Sequence, residues 1–139
     1  MRVKDCFKDG LLKKIKPSNQ FAIKSLDASL IYIKDAIDNK KIKNYNLVIF
    51  CSYTAMLHAA RALLFRDGIK ERSHICIVSY IKETYPKFKR LANLLDIYRR
   101  NRHNTLYALD FLVSDEESQQ AIKDAEFFYK QINDIINKK

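Results

Sequence analysis

The residues that decide the fold are Tyr45-Asn46-Leu47-Val48-Ile49-Phe50-Cys51-Ser52-Tyr53-Thr54-Ala55-Met56-Leu57-His58-Ala59-Ala60-Arg61-Ala62-Leu63-Leu64-Phe65-Arg66-Asp67, with Gly68 after them. Apolar side chains fall nearly all round a helical wheel here, so the segment predicts a helix enclosed on every side, at the centre of a bundle. Gly68 stands where a helix ends in a left-handed residue. Ala59, Ala60 and Ala62 let neighbouring helices approach closely.

Segments on both sides supply the partners that such a helix needs. Upstream, Ser18 is placed to cap a helix from Asn19 to about Asn39, whose Ala22, Ile23, Leu26, Leu30, Ile33 and Ile37 recur every three or four residues. Before it, residues 1–17 alternate lysines with Phe7, Leu11, Leu12 and Ile15, and predict a short basic helix or a docked arm. Downstream, Ser73 caps a helix from His74 to about Tyr85, which Pro86 stops. A further helix runs from about Lys87 to Val113. Ser114-Asp115-Glu116-Glu117 is a capping box that opens a last helix through Ile135. With two glycines and two prolines in 139 residues, turn chemistry is too scarce for a strand-rich fold, and no strand signal is present. The expectation is one all-α domain over residues 1–139, an up-and-down antiparallel bundle of four to five helices.

Continuous apolar runs such as Leu47 to Cys51 are far shorter than the ~20 residues of a membrane span, and no secretory leader is recognisable, so a soluble cytoplasmic protein without a membrane partner is expected. Cys6, Cys51 and Cys76 are widely spaced with no Cys-x-x-Cys pair. Cys51 and Cys76 read as small buried hydrophobes. The net charge of +10 is uneven: eleven basic and five acidic residues in 1–50, eleven and five in 51–113, four and six in 114–139. Between Lys82 and Arg102 seven residues are basic and two acidic. A polyanion is the partner that this distribution suits.

The stretch Tyr98-Arg99-Arg100-Asn101-Arg102-His103-Asn104-Thr105-Leu106-Tyr107 concentrates the chemistry. On a wheel with Tyr98 at zero, Leu91, Leu94, Leu95, Leu106, Leu109 and Val113 share one side, and Arg102 lies in its middle. Arg102 either lays its stem on apolar neighbours and pairs with an acid elsewhere, or belongs to a site. Arg99 and His103, four apart, face one point in space. The sequence contains no glycine-rich phosphate loop, His-Glu-x-x-His or Gly-x-Ser-x-Gly, and no paired metal ligands, so no cofactor or metal is expected. Cations that clamp a phosphate beside a group titrating near neutrality suffice for metal-free RNA cleavage, in which the ribose 2′-OH attacks its own phosphodiester.

Tyr53-Thr54-Ala55-Met56-Leu57-His58-Ala59-Ala60-Arg61-Ala62-Leu63-Leu64, then Gly68-Ile69-Lys70 and His74, then Arg102-His103-Asn104-Thr105-Leu106-Tyr107, resemble in order the small HEPN domain proteins of archaea and bacteria, over roughly Gln20 to Ile135. The resemblance implies a helical homodimer, often encoded beside a minimal nucleotidyltransferase as a toxin and antitoxin pair, and in many members a metal-independent endoribonuclease. The family's signature places a His five to seven residues after an Arg. Here His103 follows Arg99 by four and Arg100 by three, and Arg102 with Tyr107 five later resembles a branch in which an Arg-to-Tyr pattern holds this place. On the enzyme reading Arg99, Arg102 and His103 are catalytic, while Arg100, Asn101, Tyr107 and His58 touch the RNA. On the alternative reading the same residues bind a nucleotide or RNA without cutting it, and the protein acts by holding a nucleotidyltransferase. A structural helical adaptor is a third possibility. His58 is expected beneath the Tyr98–Tyr107 helix as a hydrogen-bond partner of the site, with Tyr53 elsewhere in the core.

Overall fold

A computed structural model of the chain describes the backbone of residues 1–107 and 112–137, and the side chains of residues 1–101 and 112–137. Among them are six helices: α1 (Val3–Lys8), α2 (Asn19–Lys41), α3 (Tyr45–Asp67), α4 (His74–Thr84), α5 (Lys89–Tyr107) and α6 (Asp115–Ile136). A single 3₁₀ turn, Pro86–Phe88, leads into α5. The all-α bundle is therefore the architecture, with α3 in the middle, packed against α2, α5 and α6. Its Val48, Ala55, Met56, Ala59, Ala60, Ala62 and Leu63 are fully buried. As a helix α3 is long and apolar enough to cross a membrane, yet most of its apolar surface is covered by the neighbouring helices. This is a point that counting uninterrupted apolar runs does not reveal, because Ser52, Thr54, His58 and Arg61 break the run and leave the mean hydropathy high.

The caps form where local chemistry demands them. Ser18 Oγ accepts from the Phe21 N–H at 3.0 Å to start α2, and Ser114 and Glu117 close a reciprocal capping box at the start of α6. Ser73 holds the N-cap backbone position of α4 without a side-chain cap bond. Gly68 ends α3 at φ 79°. It is required there twice over, since a Cβ would also lie 2.7 Å from the Ile15 carbonyl oxygen and 2.9 Å from Pro17 Cγ.

Three sequence expectations are corrected. Strands β1 (Leu12–Lys14) and β2 (Ile69–Glu71) pair antiparallel, with Leu12 opposite Glu71 and Lys14 opposite Ile69. Three-residue strands carry no usable alternation, and only the long-range pairing makes them visible. The ribbon continues through Ile15 N–H to the Gly68 carbonyl at 2.9 Å and Arg72 N–H to the Leu11 carbonyl at 2.8 Å. Cys76 is not a lone buried thiol: it forms a disulfide with Cys6 that ties α1 to α4, whereas Cys51 is free and buried. A separation of 70 residues gives no spacing signal for such a pair. Finally, Val113 is not helical; it is buried beside Ile49 and Ala121, just before the Ser114 cap.

Candidate functional site

The sequence singles out α5, whose inner face carries the buried Leu91, Ala92 and Leu95. This packing turns the helix so that Arg99 and Arg100 emerge on its wet edge. Both reach back to one carboxylate. Arg99 Nη2 and Nε each lie 2.9 Å from Asp96 Oδ1, and Arg100 Nε lies 3.4 Å from Asp96 Oδ2. The Arg100 side chain is 63% exposed and that of Arg99 29%, so each pair adds little to stability. Their consequence is orientation: two guanidiniums are held on one patch whose local charge is near +1. Asp96 was legible in principle, because it precedes the arginines by three and four residues, the helical ion-pair spacing.

Tyr98, next in the chain, points the other way. Its hydroxyl donates to Asp124 Oδ2 of α6 at 2.6 Å, and Gln120 Nε2 donates to Asp124 Oδ1 at 2.9 Å. Burial, and then the bond to Asp124, push the Tyr98 phenol far above its ordinary range, so it stays a hydrogen-bond donor. Tyr98 also lines a groove of about 340 Å³ with Ile49, Leu94, Ile97, Asn101 and Val113. Asn101 is exposed there, and Ile97 is 45% exposed.

The backbone of α5 continues as helix through Arg102, His103 and Tyr107, but these side chains lie outside the described residues. Helical backbone sets His103 one turn beyond Arg99 on the same edge. The structure thus brings Arg99 and Arg100 together and leaves Asn101 on the adjoining groove.

His58 is elsewhere. It follows Ile49 by nine residues, 180° round α3, and Ile49 faces α5. His58 instead stacks on Tyr32 of α2, with ring centroids 5.3 Å apart and planes 12° from parallel. It lines a cleft bounded by α2, α3 and the strand ribbon. The expectation that it lies under α5 is therefore corrected, and the reason is angular: α3 buries both faces, and the sequence pattern does not say which neighbour covers which. Burial, with the Arg61 charge as the lesser cause, holds the His58 imidazole below the usual histidine range. Tyr53 does lie in the core, with its hydroxyl 2.8 Å from His74 Nδ1.

Among the described residues no group of three His, Cys, Asp or Glu side chains is placed to hold a metal ion. The model of the HEPN domain family matches residues 23–135. Comparison with curated proteins finds no match.

Proposed function

Since this chain belongs to the HEPN domain family, we propose that it is a homodimeric, metal-independent endoribonuclease of a toxin and antitoxin pair, cytoplasmic, with a nucleotidyltransferase as cognate partner. The observation that carries the reading is the Arg99 and Arg100 pair, held by Asp96 on the wet edge of α5 one turn from His103. In the reaction Arg99 and Arg102 hold the scissile phosphate. The 2′-oxygen forms a bond to phosphorus as its proton passes to solvent water, the bond from phosphorus to the 5′-oxygen breaks, and His103, entering as the imidazolium, gives that oxygen a proton. Arg100, Asn101 and Tyr107 contact the flanking RNA. Dimerisation is supported by the groove beside Ile97 and by Leu112, which is 85% exposed at the same end of the bundle.

A cytoplasmic location exposes the disulfide to a reducing pool. Both Cys6 and Cys76 are fully buried, which denies an attacking thiolate access to either sulfur.

RNA incubated with the purified protein in EDTA is expected to be cut, with cleavage lowered roughly 100-fold or more in Arg102→Ala and His103→Ala, the range for losing a general acid or a charge clamp. RNA left intact at every pH and salt concentration overturns the enzymatic reading. The second reading, a nucleotide- or RNA-binding module that partners a nucleotidyltransferase without cutting, is favoured by the spacing of Arg99 and His103, four residues where five to seven are usual. Salt-sensitive RNA retention without cleavage selects it.

A further inference from the structure

The cleft beside His58 has a construction that the α5 site lacks. Its volume is about 640 Å³, within the range of small-molecule sites, and a side pocket of about 270 Å³ shares its Ser25, His58, Phe65 and Lys70. One wall is the strap of residues 15–17, held against Gly68 by the Ile15 N–H bond and against α3 by Ser18 N–H donating to the Phe65 carbonyl at 3.0 Å. Phe21 and Phe65 pack edge to face with centroids 5.6 Å apart, and Phe21 is 49% exposed although it sits over a buried core. These rings give the cleft an apolar surface open to a ligand.

Its rim is cationic. Lys16, Lys24 and Lys70 come from the strap, from α2 and from β2, and none of the three has an ion pair among the described residues. The one acidic side chain in the adjoining pocket, Glu71, is taken by Arg61. Three uncompensated ammonium groups around an apolar surface suit an anion whose remainder is apolar. The polar groups inside are few: the Ser25 hydroxyl and His58, whose ring nitrogens make no hydrogen bond to the described residues. A nucleobase with its ribose would leave most of its donors and acceptors unmet here, and each unmet group is costly. A flat or chain-like hydrocarbon would leave none.

We propose that this cleft binds a small amphipathic anion, an aryl or short acyl body ending in a phosphate or carboxylate, with the body on Phe21 and Phe65 and the head among Lys16, Lys24 and Lys70. Ser25 and His58 are left to hydrogen-bond the linkage between body and head. The site is independent of any ribonuclease activity: it lies on the far side of α3 from Ile49 and α5.

Calorimetric titration of the oxidised full-length chain with decyl phosphate, kept below its micellar concentration, tests the proposal. Saturable one-to-one binding is expected, at least tenfold tighter than adenosine monophosphate and at least 100-fold tighter than inorganic phosphate. Phe21→Ser and the double variant Lys24→Gln/Lys70→Gln, all at surface positions, are each expected to weaken it tenfold or more while circular dichroism stays unchanged. Arg99→Ala is expected to leave it intact, which separates this outcome from the fate of the α5 reading. Absence of saturable binding, binding insensitive to both cleft variants, or tighter binding of adenosine monophosphate overturns the assignment. So does retention on anionic phospholipid vesicles without binding of monomeric decyl phosphate, which would make the lysine rim a membrane contact.

Discussion

Two cationic regions of this molecule are built in opposite ways. On α5 the arginines are neighbours in sequence, stand on one exposed edge, and share a carboxylate three and four residues before them. In the cleft the lysines are residues 16, 24 and 70, have no acidic partner among the described residues, and border aromatic rings. The first arrangement holds its charges in a fixed array over an open surface, as a passing polyanion chain requires. The second leaves its charges uncompensated around an apolar surface, as a small ligand of mixed character requires. A shared sign of charge thus says little about a partner until the local counter-charges and the apolar surroundings are known.

The largest effect that separates the two regions is expected from the disulfide. Cys6 and Cys76 close a loop of 70 residues, and in the chain-entropy picture such a crosslink contributes about 4 kcal/mol. The bridge joins α1 to α4 and, through α1, anchors the strap that walls the cleft; α5 also packs on α4, but α5 and α6 both rest on α3 as well, which the bridge does not cross-link. Reduction, or Cys6→Ser with Cys76→Ser, is expected to lower the melting temperature by roughly 10 °C or more. Hydrogen exchange is expected to show lost protection in residues 1–16 and 69–76 with α5 and α6 still protected. Uniform loss along the whole chain would show that the two regions do not open separately, and would break the comparison.

A smaller effect tests the α5 side. Asp96 both holds the arginines and cancels part of their charge; non-specific retention depends on charge more than on aim, so Asp96→Asn is expected to tighten retention of single-stranded RNA a few-fold at low salt. One more effective phosphate contact would steepen the salt dependence by about 0.7 in the log–log slope. If instead Asp96 mainly aims the guanidiniums, retention weakens in the variant and the neutralisation argument is wrong. Filter binding across a salt series reads both quantities.

What the sequence made legible follows from the same contrast. The central helix, the Gly68 terminus, the Ser18 and Ser114 caps and the arginine edge are local: each depends on residues within a turn or two of one another. The β1 and β2 pairing, the Cys6–Cys76 bridge and the cleft join segments some 50 to 70 residues apart, and periodicity has no access to such distances. His58 shows the limit most plainly. Its position on a nearly all-apolar helix was clear, but which neighbour it meets depends on how α2 and α5 divide the circumference of α3.

His58 also supplies the smallest effect and the sharpest distinction between the regions. Its pKa in the folded protein lies below the ordinary 6.5, first because burial disfavours the imidazolium and second because Arg61 repels it. The unfolded chain therefore binds more protons than the folded one as pH falls through about 6.5, and stability declines across that window down to the folded-state value. Above it the contribution is constant. His58→Gln, which keeps a polar group beside Tyr32, is expected to flatten this slope, seen as a smaller difference between denaturant midpoints at pH 7.5 and 5.5 than in the parent chain. An unchanged difference would mean that the imidazole is solvated like an exposed one, and that the cleft wall around it is wetter than its apolar surroundings imply. A change of the opposite sign, with the parent more stable at low pH than the variant, would require a carboxylate facing His58. Glu71, the acidic group lining the pocket that adjoins His58, is already bound to Arg61, so that outcome would mean the ion pair opens in solution and the cleft rim carries less free positive charge than three lysines suggest.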